Sequence, residues 1–211
     1  MLKSQFFANF RTIKIYFIIT LVKNKIRKDR CILIIFLINF PHEIICYYIG
    51  GSTKTSLLEL HDMRFVIATD IEATYSELRK SWWGDPNSLH IDCWGELKSA
   101  DGYNIHIRDT PSQSSEKLYF INLGGYDPLQ FTELHENTFI VSSRESKAKA
   151  LALKKVLNWQ GRHKDYVHEI EKASCINDLV QNKSFYIHLE KTDNPTPFSF
   201  VCKYTPLKTK S

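Results

Sequence analysis

The sequence predicts an α+β protein of two tandem repeats, each a small antiparallel or mixed sheet packed with one main helix, the pair related by a pseudo-twofold axis. The first observation is an internal match. Gly50, Gly51, Glu59, Leu60, His61 and Phe65 recur 74 residues later as Gly124, Gly125, Glu133, Leu134, His135 and Phe139, and Val66-Ile67 is answered by Ile140-Val141. The second is a helical stripe in each half: Ile71, Tyr75, Leu78 and Trp82, then Ala148, Leu151, Ala152 and Val156. The third is a looser echo, in which Trp82 and Gly84 match Trp159 and Gly161, His90-x-Asp92 matches His163-x-Asp165, and "NIHI" (104–107) matches "YIHL" (186–189).

Each repeat therefore reads as strand, glycine turn, strand, capped helix, then one or two strands. Gly50-Gly51 and Gly124-Gly125 are the expected turns, supplying backbone angles that a β-carbon disfavours. Thr69 with Glu72, and Ser142 with Glu145, have the spacing of a capping box. Gly84-Asp85-Pro86 ends the first helix and Gly161 the second. The expected division is an N-terminal extension over 1–43, repeat units over 44–117 and 118–191, and a C-terminal tail over 192–211.

Of the 28 basic and 23 acidic side chains, the first 45 residues hold eight and two. The remainder is left with 20 and 21, close to neutral, so a basic nucleic-acid face is not indicated. Two apolar runs, Ile15 to Val22 and Cys31 to Phe40, flank the basic run Lys23 to Arg30. Each is about half of the ~20 residues a spanning helix needs, and no small-residue cleavage site follows before Pro41. Three readings of the extension stand: a membrane-surface anchor, an extra helix, or translated AT-rich sequence ahead of the native start. The five cysteines form no CxxC pair, which points to reduced thiols in a cytoplasmic protein and away from a thiolate zinc site.

The stretch "IGGSTKTSLLELHD" resembles a phosphate loop, but Lys54 follows Thr53 where that motif requires glycine. The second repeat, "LGGYDPLQFTELHE", keeps the glycines and loses Ser, Thr and Lys. The shared feature is the glycine pair and Glu-Leu-His, not phosphate chemistry.

The string "ELHDMRFVIA", "ATYSELRKSWWG", "LHIDCW", "DGYNIHI" and "LYFINLGGYDP" resembles the bacterial domain of unknown function 1543, which occurs in one or two copies per chain. The resemblance runs from Ile44 to Lys191 and leaves the extension uncovered. It implies no activity and no catalytic residues.

Glu59 and His61 are two apart on a strand and so share a face, as do His90 and Asp92. If those strands meet, two imidazoles and two carboxylates gather, a set suited to a divalent metal or to acid–base chemistry. Glu133 and His135 are the counterparts in the second repeat, and His61, His90 and Asp92 the candidate metal ligands. A histidine hydrogen-bonded to a neighbouring carboxylate accounts for the same pairs without chemistry. Cys93 beside Asp92 is a candidate thiol nucleophile or a small buried hydrophobe. His106 and His188 read as satisfied edge positions. Trp82, Trp83 and Trp159 read as groove or packing residues.

The expected function is a cytoplasmic, duplicated α+β binding or interaction module. The alternative is a metal-dependent, hydrolase-like enzyme using the His/carboxylate cluster of the first repeat. No cofactor is predicted beyond the divalent metal. The expected partner is a protein, a small molecule or a second copy of the chain, with peripheral inner-membrane association only if the extension is genuine.

Overall fold

The computed structural model describes residues 3–10, 13–23, 31–39, 41–127, 129–156, 167–180 and 184–207, with backbone alone for 3–39, 156 and 167–169. The chain divides into two compact units, Met1–Pro41 and His42–Ser211. In the first, β1 (Lys3–Phe10), β2 (Ile13–Lys23) and β3 (Cys31–Asn39) form an antiparallel sheet in that order. Both apolar runs of the extension are thus strands, as their isoleucine content favours, and the extra-helix reading is corrected.

The second unit opens with β4 (Glu43–Gly51) and β5 (Leu60–Ala68), then a 3-10 turn (Glu72–Thr74) leading into α1 (Tyr75–Ser81). Next come β6 (His90–Glu96), β7 (Ser99–Ala100) and β8 (Tyr103–Arg108). The chain continues through β9 (Lys117–Tyr126), β10 (Glu133–Ser142), α2 (Glu145–Val156), β11 (Val167–Cys175), α3 (Ile176–Leu179), β12 (Tyr186–Lys191) and β13 (Ser199–Pro206). Antiparallel sheets with segregated helices make this an α+β fold.

The sheet β13-β6-β4-β5 carries the candidate site. Its centre, β4, is apolar on both faces because both are covered. Ile45, Tyr47 and Ile49 pack with Val66, Leu78, Trp82, Leu89 and Ile91 in a core under α1. Ile44 and Cys46 face the other way, joining Phe65, Ile67, Leu118, Phe120 and Val141 in a second core. The α1 stripe is as the periodicity predicts, with Leu78 and Trp82 buried and Ile71 and Tyr75 packed against them.

The sheet β10-β9-β11 packs its other face on Ala148 and Ala152 of α2. Its β9–β10 ladder repeats the β4–β5 ladder at the 74-residue offset: Glu43↔Ala68 through Gly51↔Leu60 becomes Lys117↔Ser142 through Gly125↔Leu134. A third sheet, β12-β8-β7, pairs strands from both expected repeats, with His188 opposite His106. Residues 192–211, read as a tail, contribute β13, which pairs with β6.

Two local expectations are corrected. Gly50-Gly51 and Gly124-Gly125 lie inside β4 and β9, not in turns, and positive φ among the described residues occurs at Asp101 (51°) and Gly102 (78°). What these positions need is space, as the site makes plain. The capping boxes also do not form. Asp70 Oδ1 accepts the Ala73 N–H at 3.0 Å while the Thr69 hydroxyl donates to Asp70 Oδ2, and the Ser142 hydroxyl donates to the Arg144 carbonyl. An aspartate is as good a cap as threonine, and here it stands one residue closer to the turn.

Candidate functional site

Gly50 lies opposite His61 in β5 on one side and opposite His90 in β6 on the other. Paired residues project to the same face, so both imidazoles stand over a position with no side chain. Between Ile49↔Ile91 and Tyr48↔Cys93 the β4–β6 register shifts, leaving Asp92 as the unopposed residue of a bulge. A bulge re-aims the side chain it carries, and Asp92 turns in over Gly50. A β-carbon at Gly50 would meet His90 Nε2 at 2.6 Å, Asp92 Oδ2 at 2.9 Å and His61 Cδ2 at 3.0 Å. The glycine is the floor of the site.

Glu59, one residue before β5, closes a ring. His90 Nε2 is 3.2 Å from Glu59 Oε1 and 3.4 Å from Asp92 Oδ1, while His61 Nε2 is 3.6 Å from Glu59 Oε2 and 3.5 Å from Asp92 Oδ2. The ring grades from solvent to core: side-chain exposure is 51% at Glu59, 32% at His61, 27% at Asp92 and 3% at His90. His61 is stacked on Tyr48 at 5.0 Å, and His90 lies 4.5 Å from the Tyr204 ring of β13.

His90 is held from behind. Its Nδ1 is 2.9 Å from the Ser88 carbonyl, which can only accept, so Nδ1 carries the proton. The carbonyl is fixed in turn, because Ser88 donates its N–H to the Asp85 carbonyl and Asp85 donates its own to Ser52. In a neutral His90 the Nε2 lone pair therefore points at two carboxylates. Among the described residues, neither His90 Nε2 nor Asp92 Oδ2, both buried, has a hydrogen-bond partner. Buried polar atoms are normally paired, so these two atoms mark where the ring lacks a hydrogen-bond partner among the described residues. Lone pairs facing anions require a positive species between them, either protons on the imidazoles or a bound cation.

The pair spacings suit a cation. Ligand atoms at ~2.0–2.1 Å from a tetrahedral metal lie about 3.3 Å apart, and the four contacts bracket that value. Among the described residues, however, no three His, Cys, Asp or Glu side chains already share one coordinating centre. The two facts concern different things: single edges fit, whereas a common centre requires the carboxylates, which offer a different oxygen to each imidazole, to swing inward. Glu59, half exposed and outside the strand, has that freedom.

The other candidates are dispersed. Glu133 and His135 pair with each other at 3.8 Å on β10, in a different sheet. The space over Gly124 is taken by Glu171 and Glu133, so a carboxylate that the sequence did not flag fills the second cradle. The expected counterparts His163 and Asp165, like Trp159, lie outside the described residues, and Glu169 is the residue opposite Gly124. His106 on the middle strand β8 meets Glu190 of β12 at 3.3 Å, and His188 on β12 has its Nε2 2.7 Å from the Thr110 carbonyl. Burial and the neighbouring Cys202 push the Cys93 thiol up to about 11, so its thiolate is scarce at neutral pH. Trp82 is core and Trp83 is exposed. Lys54 is exposed on a loop whose Thr53 hydroxyl accepts the Ser56 N–H.

Beside the ring, on the same face, opens an apolar cavity of about 400 Å³ bounded by Tyr48, Met63, Cys93, Phe139, Phe198 and Phe200. Tyr48 belongs to both, lining the cavity and stacking on His61. Ser88 is two residues from His90 and Tyr48 two from the floor glycine, Gly50, so alternation could have found both; Tyr204 had no sequence signal.

Comparison with known proteins follows the same outline. No curated protein matches the chain. The crystal structure of protein Il1583 from Idiomarina loihiensis is similar, with 28% sequence identity, a TM-score of 0.61, and coverage of 80% of this chain and 99% of that one. The family described as Domain of Unknown Function (DUF1543) matches residues 56–107. That matched stretch holds Glu59, His61, His90 and Asp92, and the description is that of the family the motifs resemble.

Proposed function

We propose that this protein is a cytoplasmic, internally duplicated α+β binding module whose ligand site is the Glu59–His61–His90–Asp92 ring, and that the ring takes up a divalent cation. The observation that carries this reading is the pair of orphaned buried atoms, His90 Nε2 and Asp92 Oδ2, both lying over Gly50. Two nitrogens and two carboxylates are a donor set that borderline cations such as zinc accept. The Ser88 carbonyl behind His90 is the outer contact that orients a ligating imidazole. The cavity next to the ring has the size of a small-molecule pocket.

Two features support the duplicated reading. The β4–β5 and β9–β10 ladders share one register at the 74-residue offset. Equivalent histidines of "NIHI" and "YIHL" stand opposite each other in the β8–β12 pair. Antiparallel strands that align equivalent residues are what a twofold between the repeats would produce, and this pairing supports that reading.

Equilibrium dialysis of the full chain against zinc, manganese and calcium, followed by elemental analysis, tests the proposal. One cation per wild-type chain, lost in His61→Ala and His90→Ala, is expected. No stoichiometric cation, or uptake unchanged in both variants, overturns it. The hydrolase-like alternative requires the same cation and stands or falls first on the same result.

A further inference from the structure

Cys93 of β6 and Cys202 of β13 are directly opposite each other in an antiparallel pair. Opposed residues have Cα atoms about 4.5 or 5.5 Å apart, depending on the type of pair. Either value lies inside the roughly 4.4–6.8 Å that a disulfide spans. Directly opposed side chains also project to one face, and the two thiols stand against each other. Both are free; Cys202 is exposed and Cys93 half-buried.

The place of this pair in the sheet gives it a consequence. Among the described residues, β13 is an edge strand that pairs with β6 alone. Its ladder is regular from Ser199 to Cys202 and breaks before Thr205. Cys202 is therefore the last regular pair before the irregular stretch that lays Tyr204 over His90. On the β6 side, Cys93 directly follows Asp92.

We propose that Cys93 and Cys202 form a reversible cross-strand disulfide, with a small-molecule disulfide such as oxidised glutathione as the oxidant, fastening β13 to β6 beside the ring. The exposed Cys202 thiolate attacks one sulfur of oxidised glutathione; that S–S bond breaks and one glutathione leaves as thiolate. Cys93 then loses its proton to solvent, its sulfur attacks Cys202 Sγ, and the second glutathione departs. The protein loses two electrons and two protons, and one glutathione disulfide becomes two thiols. The bond removes the freedom of β13 to part from β6. Its effect on the ring, through Tyr204 and His90, rests on the cation reading above; the disulfide itself does not.

The test uses the full chain, reduced and then incubated with oxidised glutathione. An intact mass lower by two hydrogens, a Cys93–Cys202 linked peptide, and loss of both in Cys202→Ser are expected. Amide hydrogen exchange across Phe200–Tyr204 is expected to slow at least tenfold in the oxidised protein and to recover on reduction. A persistent glutathione adduct on Cys202, a link to Cys46 or Cys175, or unchanged exchange in the linked protein overturns the proposal. Neither readout involves a cation, so failure of the ring to bind metal leaves both intact.

Discussion

Gly50 stands directly opposite His90 in the β4–β6 ladder, and a methyl group there would meet His90 Nε2 at 2.6 Å. His90 is buried and anchored through Nδ1, so it cannot yield. Gly50→Ala is expected to cost about 1–3 kcal/mol in urea unfolding and to lower cation uptake. Gly124→Ala is the contrast. Its closest neighbours are the ends of Glu171 and Glu133, which can swing away, so a cost below about 1 kcal/mol is expected.

His61 and His90 differ in what else they do. His61 is partly exposed, whereas His90 is part of the core and tied by its Nδ1 to the Ser88 carbonyl. His61→Ala is expected to weaken cation binding at least about tenfold with a stability loss under about 1 kcal/mol. His90→Ala should abolish binding and also destabilise by about 2–4 kcal/mol. Parallel cation titrations and denaturant melts separate the two.

A buried hydrogen bond ties the 3-10 turn ahead of α1 to β4. Tyr47 is fully buried and its hydroxyl is 2.6 Å from Thr74 Oγ1, which spends its own hydrogen on the Ile71 carbonyl at 2.7 Å. Tyr47 is therefore the donor, and burial pushes its phenol up. Thr74→Val keeps the shape and strands that hydroxyl, at an expected cost of about 1–3 kcal/mol, read from thermal or urea unfolding.

The two opposed thiols should react at different rates. With the Cys93 thiol pushed up to about 11 and half-buried, its thiolate is scarce at pH 8, whereas Cys202 is exposed. Iodoacetamide at pH 8 is expected to label Cys202 first, as peptide mass spectrometry would show. Raising the pH toward 10 should speed Cys93 labelling about tenfold per pH unit. Equal labelling of both at pH 8 would contradict the assigned environments.

The pairing of Glu59 with His61, and of His90 with Asp92, was legible because alternation on a strand fixes the face. That the two pairs meet was not legible: it depends on β5 and β6 both pairing with β4, which spacing within a strand does not give. What alternation hides is the bulge: Asp92 reaches the ring through an extra residue in β6, and a register shift leaves no mark in residue spacing. The glycines were legible as a requirement but not as its kind. A glycine kept for a positive φ and one kept because imidazoles crowd its α-carbon look alike in sequence. The role of β13 was hidden altogether, since an exposed edge strand of Ser, Phe, Val, Cys, Lys and Tyr has one solvent face and no repeat partner.

The central claim is that a cation sits between His61 Nε2 and His90 Nε2. Nitrogen-detected NMR of the histidine side chains, with and without one equivalent of zinc, observes those atoms directly. The expected result is a zinc-dependent shift of Nε2 in His61 and His90, with His90 Nδ1 still protonated toward Ser88 and with His106, His135 and His188 unmoved. Unchanged His61 and His90 signals at saturating zinc, or shifts confined to the other histidines, would contradict the claim.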